Sequence, residues 1–188
     1  MEEETRNRLE QLEKSIESLR GETAELRSAV PGDSLALGLI SGHLDRVLAA
    51  FIIALGAAAY DMEVHMFFSF WSIAALRDPK KKASKNLLGK MFGWMLPNGS
   101  RKLKLSSLNM AGAGPMMIRG LMKRKGVPSL EEMIRQAGEL GIEIHVCEMS
   151  MDLMGFKKEE MIDYPHMSFV GVGTFLGLAQ SARQAFFL

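Results

Sequence analysis

The sequence predicts an α/β fold with a mostly parallel sheet, preceded by a short N-terminal coiled-coil helix. Two observations predict the sheet: a strand, helix, strand order between Ser34 and Phe70, and its return between Ser129 and Leu188. A heptad pattern before residue 31 predicts the separate helix. We therefore expect a coiled-coil helix over residues 1–30 and an α/β domain over residues 34–188.

The N-terminal segment repeats apolar residues at alternating spacings of three and four, as in the a and d positions of a left-handed coiled coil. These positions are Leu9, Leu12, Ile16, Leu19, Thr23, Leu26 and Val30. About three heptads are marginal as an isolated helix in water, so we expect oligomerisation or docking, with an amphipathic helix lying on its own domain as the alternative. Pro31-Gly32-Asp33 ends the helix.

The first half of the domain contains three predicted elements. Ser34–Ile40 has the pattern of a buried strand, Leu44–Tyr60 of a core helix, and Glu63–Phe70 of a second strand. The uncharged run Val47–Tyr60 is 14 residues long, whereas a membrane-spanning helix needs about 20. We therefore assign this run to a buried helix.

The second half of the domain repeats the same order. Ser129–Leu140 is predicted to be helical, with Ser129 as N-cap and Glu132 completing a capping box. Gly141 closes this helix and Ile142–Cys147 forms the next strand.

The C-terminal stretch from Tyr164 to Ala182 lacks charged side chains, but its proline and glycines argue against a membrane span. We expect a loop, then a packed helix from about Thr174 and a final strand, Ala185–Leu188. Gly171, Gly173 and Gly177 imitate a dinucleotide fingerprint at the wrong spacing, and close helix packing explains them better. No nucleotide cofactor is expected.

Composition indicates a globular protein that needs neither disulfides nor metals for stability: the chain has 188 residues, of which 47% are hydrophobic and 24% charged. Its single cysteine, Cys147, cannot form an intramolecular disulfide, which fits a reducing compartment. The acidic start Met1-Glu-Glu-Glu is unlike a signal peptide, so we expect a cytoplasmic location.

The segment from Arg77 to Lys125 differs from the rest of the chain. It holds thirteen Lys and Arg against one acid, Asp78, a net +12 in a chain whose total is +1. Apolar residues are interleaved with these charges: Leu87, Leu88, Met91, Phe92, Trp94, Met95, Met110, Met116, Met117 and Met122. Three functions are consistent with this insertion: a lid over the reactive site, a docking face for an acidic partner, or a contact with an anionic membrane surface. The alternative without a function is a solvated basic face over ordinary core methionines. Nucleic acid is not an expected partner.

Within the same segment, Ala111-Gly-Ala-Gly-Pro115 could present backbone N–H groups to an anion, although a flexible loop is the simpler account.

Cys147 is the main candidate for chemistry. It ends a predicted strand, and a short helix follows with Ser150 as its cap. Ligands bind at the carboxyl ends of strands in open parallel sheets, and a helix N-terminus there would lower the pKa of a thiol, although Glu148 would oppose this. Without any comparison to related proteins, a lone cysteine after a buried strand is more often an inert core residue than a reactive one.

The spacing of the histidines in the sequence adds little support for a catalytic or metal-binding site. His145 lies two residues before Cys147 on the same predicted strand, so both side chains point to the same face of the sheet. The Cα atoms of the two residues are roughly 6.5–7 Å apart, near enough for an electrostatic effect of the imidazole on the thiol. His43, His65 and His166 are scattered singly, and no spacing matches a zinc or iron site. We therefore expect no protein-bound metal.

The stretch Leu140–Gly155, in which an apolar strand ends in Cys147 and a short helix and a glycine follow, resembles the DsrE/DsrF-like superfamily, which includes the TusD-type subunits of sulfur relays. His43-Leu-Asp-Arg with its Ala-rich helix, Glu63–Trp71 and the tail from Phe169 resemble the superfamily's first helix, second strand and last helix. The resemblance is closest to the peroxiredoxin-like subgroup and covers nearly all of the domain. The coiled-coil prefix is not part of the family core, and the basic insertion is longer than in the smallest members.

The resemblance implies a three-layer α/β/α domain that assembles into trimers or hexamers. It also implies that Cys147 accepts and passes on sulfane sulfur as a persulfide between a donor and an acceptor protein. From their places in the sequence we expect His145 and Ser150 to support this site, and we expect no cofactor. Two alternatives stay open: a one-cysteine thiol peroxidase, resolved by an outside thiol, and a non-catalytic docking module in which Cys147 is inert.

Overall fold

The structure, a computed structural model, describes residues 2–29, 32–81, 83, 91, 93 and 95–188. The chain divides into two compact units, Met1–Gly32 and Asp33–Leu188.

The first unit contains one helix, α1 (Glu2–Ala29), which confirms the predicted N-terminal helix. Four of the apolar heptad residues are exposed on it: Leu9, Leu12, Ile16 and Leu19. The polar heptad residue Thr23 donates its hydroxyl proton to the carbonyl oxygens of Leu19 and Arg20, at 2.8 and 3.0 Å. The side chain of Leu26 and all of Val30 lie outside the described residues. The coiled coil itself stays a prediction.

The second unit is built on a five-stranded sheet with strand order β4-β3-β2-β1-β5. Its strands are β1 (Gly32–Leu39), β2 (Glu63–Phe68), β3 (Glu143–Cys147), β4 (Met167–Val170) and β5 (Ala182–Phe187). Strands β1 to β4 pair in parallel. The C-terminal end of the chain also pairs with β1 in parallel. Leu188 N–H donates to the Gly38 carbonyl and Ile40 N–H donates to the Leu188 carbonyl, so Leu188 is bonded on both sides of Leu39 as in a parallel pair. The predicted α/β class with a parallel sheet is confirmed.

Five α-helices are described in this unit: α2 (Leu44–Ala58), α3 (Ala113–Arg124), α4 (Leu130–Glu139), α5 (Glu148–Met154) and α6 (Val172–Ser181). Short 3-10 helices, the longest of them Phe70–Leu76, join some of these elements. The predicted capping box of α4 is present, because Ser129 N–H donates to Glu132 Oε2 at 2.6 Å and Glu132 N–H to Ser129 Oγ at 3.3 Å. Gly141 follows with φ +75°, as predicted for a glycine that closes a helix.

The sheet has two different faces, because successive side chains of a strand point to opposite sides. The first face packs against α2 and α4 in the main core and carries Leu35, Leu37, Leu39, Val64, Met66, Phe68, Ile144 and Val146. The second face carries Ala36, Gly38, Glu63, His65, Phe67, Glu143, His145, Cys147, Ser168 and Val170, and α6 packs on it through Phe175. Helices on both sides of one sheet make the three-layer α/β/α arrangement that the resemblance implied.

Two predictions for the C-terminal region are wrong. Residues 167–170, expected to be a loop, form β4, an edge strand held by pairing with β3 and too short to show a pattern of its own. The glycines Gly171, Gly173 and Gly177 were expected to allow close packing, but an added Cβ at any of them would meet no atom within 4 Å.

The basic segment is partly tied into the domain. Arg77 is buried, with Nη2 at 3.3 Å from Glu160 Oε2 and Nη1 donating to the Pro97 carbonyl at 3.1 Å. Lys81 Nζ lies 2.6 Å from Asp163 Oδ1. At least Arg77 is therefore an internal structural charge and not part of a docking face.

The methionines of this segment are mostly exposed where they are described: Met91, Met95, Met110, Met116 and Met117. Met122 alone of the described set packs against the main core. For these residues the interpretation as ordinary core methionines is wrong. Lys82, Leu87, Leu88, Phe92 and Trp94 lie outside the described residues.

Among the described residues, no helix combines the length and the apolar character needed to cross a membrane.

Candidate functional site

Cys147 is the last residue of β3 and the N-cap residue of α5, so the predicted place at the carboxyl end of a strand is confirmed. Its backbone is extended, with φ −69° and ψ 110°, and its side chain makes no capping hydrogen bond to α5. The chain therefore turns from strand to helix at the residue that carries the thiol.

The Cys147 side chain is 3% exposed and lies in an apolar group that we call the thiol cluster: Ala36, Phe67, Cys147, Phe175 and Ala182. Phe67 and Phe175 stack with ring centroids 4.7 Å apart and planes 14° apart. Phe175 also meets the Phe187 ring edge to face at 5.5 Å. The thiol is thus covered by aromatic rings instead of facing an open crevice.

Helix α6 is the cover over this cluster, and Phe175 is its one buried residue. Val172 and Leu176 of the same helix are exposed, as are Phe186 and Phe187 of the following strand. Burying one phenylalanine side chain stabilises a contact by about 1.5–3 kcal/mol. A single aromatic anchor therefore holds most of the cover against the sheet.

His145 lies on the same face as Cys147, as its parity predicted, but both of its ring nitrogens have other partners. Nδ1 lies 2.7 Å from Ser168 Oγ, and Nε2 lies 3.4 Å from His65 Nδ1. Burial lowers the pKa of His145 below its ordinary value and the neighbouring His65 lowers it further, while Glu143 opposes them. The ring is neutral at neutral pH and brings no positive charge to the thiol.

His65 was expected to be an isolated histidine, and this expectation is wrong. It lies opposite Glu143 in the β2–β3 register, with Nδ1 at 3.3 Å from Glu143 Oε2 and Nε2 at 3.5 Å from Glu63 Oε1. Together with His145 these residues form a group that we call the His–Glu cluster: Glu63, His65, Glu143 and His145.

The sequence did contain a signal for this cluster. Each of two neighbouring strands carries Glu-x-His, as Glu63-Val-His65 and Glu143-Ile-His145. Residues two apart on a strand share a face. What the sequence did not show is the register that sets His65 beside Glu143.

Ser150 was expected to cap the short helix, and this expectation is also wrong. Because α5 begins directly at Glu148, Ser150 falls inside the first turn and is fully buried. Its hydroxyl oxygen has no hydrogen-bond partner among the described residues. An unsatisfied buried hydroxyl costs about 1–3 kcal/mol.

Glu148, expected to repel a thiolate, is exposed and lies 2.7 Å from Lys158 Nζ. Because the Glu148 carboxylate is paired with Lys158 and faces solvent, it repels a thiolate at Cys147 less than an unpaired carboxylate would.

The segment Ala111–Pro115 does more than form a loop, because Gly112, at φ +100°, is the N-cap of α3. A cavity of about 400 Å³ beside it is lined by Arg101, Lys102 and Lys104.

Residues 32–187 match the DsrE/DsrF/DrsH-like family. The chain is 42% identical over 151 residues to the uncharacterized protein YrkE of Bacillus subtilis, an alignment that covers 80% of this chain and 93% of that protein. It is 34% identical over 151 residues to the sulfur carrier protein DsrE2 of Allochromatium vinosum, covering 77% and 91% of the two chains. The crystal structure of the ychN protein from E. coli aligns with 82% of this chain and 99% of its own, at a TM-score of 0.47 and 8% identity.

Proposed function

This chain belongs to the DsrE/DsrF/DrsH-like family, and from that premise we propose that it carries sulfur as a persulfide on Cys147 and passes it to a partner protein. The observation that carries the proposal is the place of Cys147: the only cysteine of the chain ends β3, where the strand turns into α5. A 34% identical relative is named a sulfur carrier protein, which supports the same role here.

One thiol is sufficient for this chemistry. The Cys147 thiolate attacks the outer sulfur of a donor persulfide, R–S–SH; the donor S–S bond breaks, R–S⁻ leaves, and Cys147–S–SH forms. A thiolate of the acceptor then attacks the outer sulfur of Cys147–S–SH and releases the Cys147 thiolate. No electrons are gained or lost overall, so the relay needs neither a cofactor nor a second cysteine.

The burial of Cys147 gives α6 a role in this cycle. A thiolate is poorly solvated among Phe67, Phe175 and Ala36, so attack on a donor must follow displacement of the cover. After loading, the closed thiol cluster would exclude water and stray thiols from the persulfide. We infer that the donor and acceptor proteins displace Phe175 when they bind.

Intact mass spectrometry after incubation with a low-molecular-weight persulfide, or with a cysteine desulfurase and its substrate, tests this proposal. Wild-type protein should gain one sulfur atom, which a thiol reductant removes. Cys147→Ala should gain none; alanine suits the apolar surroundings better than serine, whose hydroxyl would be buried there without an evident partner.

Two results would contradict the sulfur-carrier role. If persulfide donors leave Cys147 unchanged and iodoacetamide alkylates it no faster than a free cysteine, the docking-module hypothesis is favoured. If hydrogen peroxide converts Cys147 rapidly to a sulfenic acid and donors do not load it, the chain is a thiol peroxidase.

We further propose that the protein is a homo-oligomer, a trimer or hexamer as the family resemblance implies, and that α1 contributes to the assembly. The exposed leucines of α1 recur at heptad spacing, which is typical of a coiled-coil seam. Light scattering should show a smaller assembly, or a monomer, for Leu12→Lys with Leu19→Lys. The matched control, Gln11→Lys with Ser18→Lys, adds the same charge at exposed heptad positions away from the seam and should leave the mass unchanged.

The basic segment is proposed to bind an acidic partner or an anionic surface. Lys123, Arg124 and Lys125 are exposed at the end of α3, and the exposed methionines Met116 and Met117 lie on the same helix. Changing the three basic residues to Glu should weaken binding to vesicles that contain phosphatidylserine, or to an acidic acceptor protein, and flatten its dependence on salt. Unchanged binding would leave them as a solvated face.

A further inference from the structure

Three side-chain atoms of the His–Glu cluster form a nearly equilateral triangle on the second face. His65 Nδ1 and His145 Nε2 are 3.4 Å apart, and each lies 3.3 Å from Glu143 Oε2. Two of the three side chains are buried, with His65 5% and His145 6% exposed. The arrangement is held by the strands themselves, because His65 and Glu143 are opposite in the β2–β3 register and His145 follows Glu143 by two residues.

These distances are long for hydrogen bonds and suited to metal ligands. Hydrogen bonds between nitrogen and oxygen usually measure about 2.7–3.2 Å. A tetrahedral zinc ion with bonds of about 2.0–2.2 Å sets its nitrogen and oxygen ligands about 3.3–3.6 Å from one another. All three edges of the triangle fall in the second range and outside the first.

From this geometry we propose that the second face binds a divalent zinc ion through His65 Nδ1, His145 Nε2 and Glu143 Oε2. The proposal is independent of the sulfur-carrier role, because Cys147 packs in the thiol cluster and is not one of the three ligands. Two imidazoles and one carboxylate are a ligand set that proteins use for zinc with an open fourth position. Glu143 is the ligand that reaches solvent, with its side chain 46% exposed, so an ion could enter on its side.

The outer partners of both histidines support the same assignment. A metal-binding histidine commonly donates its second ring N–H to a carboxylate or another acceptor, which orients the ring. Here His145 Nδ1 lies at hydrogen-bond distance from Ser168 Oγ, 2.7 Å, and His65 Nε2 faces Glu63 Oε1 at 3.5 Å, an ion-pair contact longer than a hydrogen bond. Each ring thus has one nitrogen directed at the triangle and the other at a support.

The charge of the His–Glu cluster also favours a bound cation. Two carboxylates, Glu63 and Glu143, lie against two imidazoles, and imidazole binds a metal ion in its neutral form. A divalent cation at the centre of the triangle would balance the negative charge that the cluster otherwise gathers.

The test is a titration of tag-free, metal-free full-length protein with Co²⁺, followed by displacement with Zn²⁺. We expect one Co²⁺ per chain with the intense visible absorption of tetrahedral cobalt, and its loss on addition of one equivalent of Zn²⁺. Cys147→Ala should give the same spectrum. A sulfur-to-cobalt charge-transfer band in the near ultraviolet that disappears in Cys147→Ala would overturn the proposed ligand set.

Ligand variants and matched controls complete the test. Glu143→Gln and His145→Gln should each weaken Zn²⁺ binding by more than about 100-fold, and the supporting variant Glu63→Gln by about 10–100-fold. The controls Glu159→Gln and His166→Gln change the same residue types at exposed positions and should bind as the wild type does. Circular dichroism establishes that each variant is folded.

The proposal is overturned if the folded wild type binds no stoichiometric Zn²⁺, or if the ligand variants bind as tightly as the controls. It is also overturned if Fe²⁺ binds stoichiometrically and Zn²⁺ does not displace it. None of these results bears on whether Cys147 accepts sulfur, which the mass of the loaded protein reports separately.

Discussion

The two faces of the central sheet are built from the same strands but from different kinds of residue. The first face carries Leu, Val, Ile, Met and Phe in an unbroken core under α2 and α4. The second face carries the thiol cluster, which α6 covers, and the His–Glu cluster on the same strands. On strand β3, Ile144 and Val146 face the core while Glu143, His145 and Cys147 face the other side.

We interpret this difference as a separation of roles, with stability assigned to the first face and the proposed chemistry to the second. Close-packed apolar side chains resist change, because a deleted methylene leaves a cavity that the surroundings fill only in part. A thinly covered face can hold a reactive thiol and polar groups whose exposure changes without unfolding the domain. If the separation is correct, substitutions on the two faces should have different consequences, which the following predictions examine.

The largest expected effect compares two buried phenylalanines on opposite sides of the sheet. Phe51→Ala in α2 and Phe175→Ala in α6 should each lower the free energy of unfolding, by about 3–5 kcal/mol for Phe51, where the cavity is enclosed. Only Phe175→Ala should raise the rate of Cys147 alkylation by iodoacetamide in the absence of denaturant, because it removes the anchor of the cover. Equal acceleration in both variants would mean that Cys147 reacts through global unfolding.

A second comparison sets Leu37 on the first face against Glu143 on the second. Leu37→Ala should lower the free energy of unfolding by about 2–5 kcal/mol, because the side chain is fully buried in the core. Glu143→Gln in metal-free protein should change it by less than about 1 kcal/mol, because its side chain is 46% exposed and its ion pairs are screened by solvent. Urea denaturation measures both. A loss at Glu143 as large as that at Leu37 would show that the second face is as important to stability as the first.

Ser150 and Ser168 should respond in opposite directions to the same substitution. Ser150→Ala removes a buried hydroxyl without a described partner and should raise the free energy of unfolding by up to about 1 kcal/mol. Ser168→Ala removes the hydroxyl that lies 2.7 Å from His145 Nδ1, and should lower it by about 1–3 kcal/mol. If Ser150→Ala instead shortens the lifetime of the persulfide at unchanged stability, its hydroxyl binds the outer sulfur.

The smallest effect is expected on the outer surface of α6. Gly177 lies within the helix, and an added Cβ would meet no atom within 4 Å. Gly177→Ala should therefore raise the free energy of unfolding by about 0.4–1 kcal/mol, because alanine lowers the entropy of the unfolded chain. Thermal unfolding measures this, and light scattering on the same samples detects any change in assembly. A smaller assembly in the variant would show that another copy of the chain covers α6.

Much of this structure follows from the sequence alone. The change from heptad spacing to a strand, helix, strand order separates α1 from the sheet, and Ser129, Glu132 and Gly141 mark the ends of α4 because capping chemistry is local. The place of Cys147 at the end of β3 was predictable for the same reason: an apolar run and the residue after it are neighbours in the chain.

Tertiary structure decided the rest, since it depends on contacts between residues distant in the chain. Strand β4 exists because β3 offers it an edge. Ser150 lies in the first turn of α5, and is not its cap, because the helix begins directly after β3 with Cys147 at the cap position. The register between β2 and β3 brings two Glu-x-His segments, about eighty residues apart, within 3.4 Å of each other, although sequence spacing predicted isolated histidines. The face on which a side chain lies can be read from alternation along one strand. Which residue of another strand it meets depends on the pairing register, and packing of the whole domain sets that register.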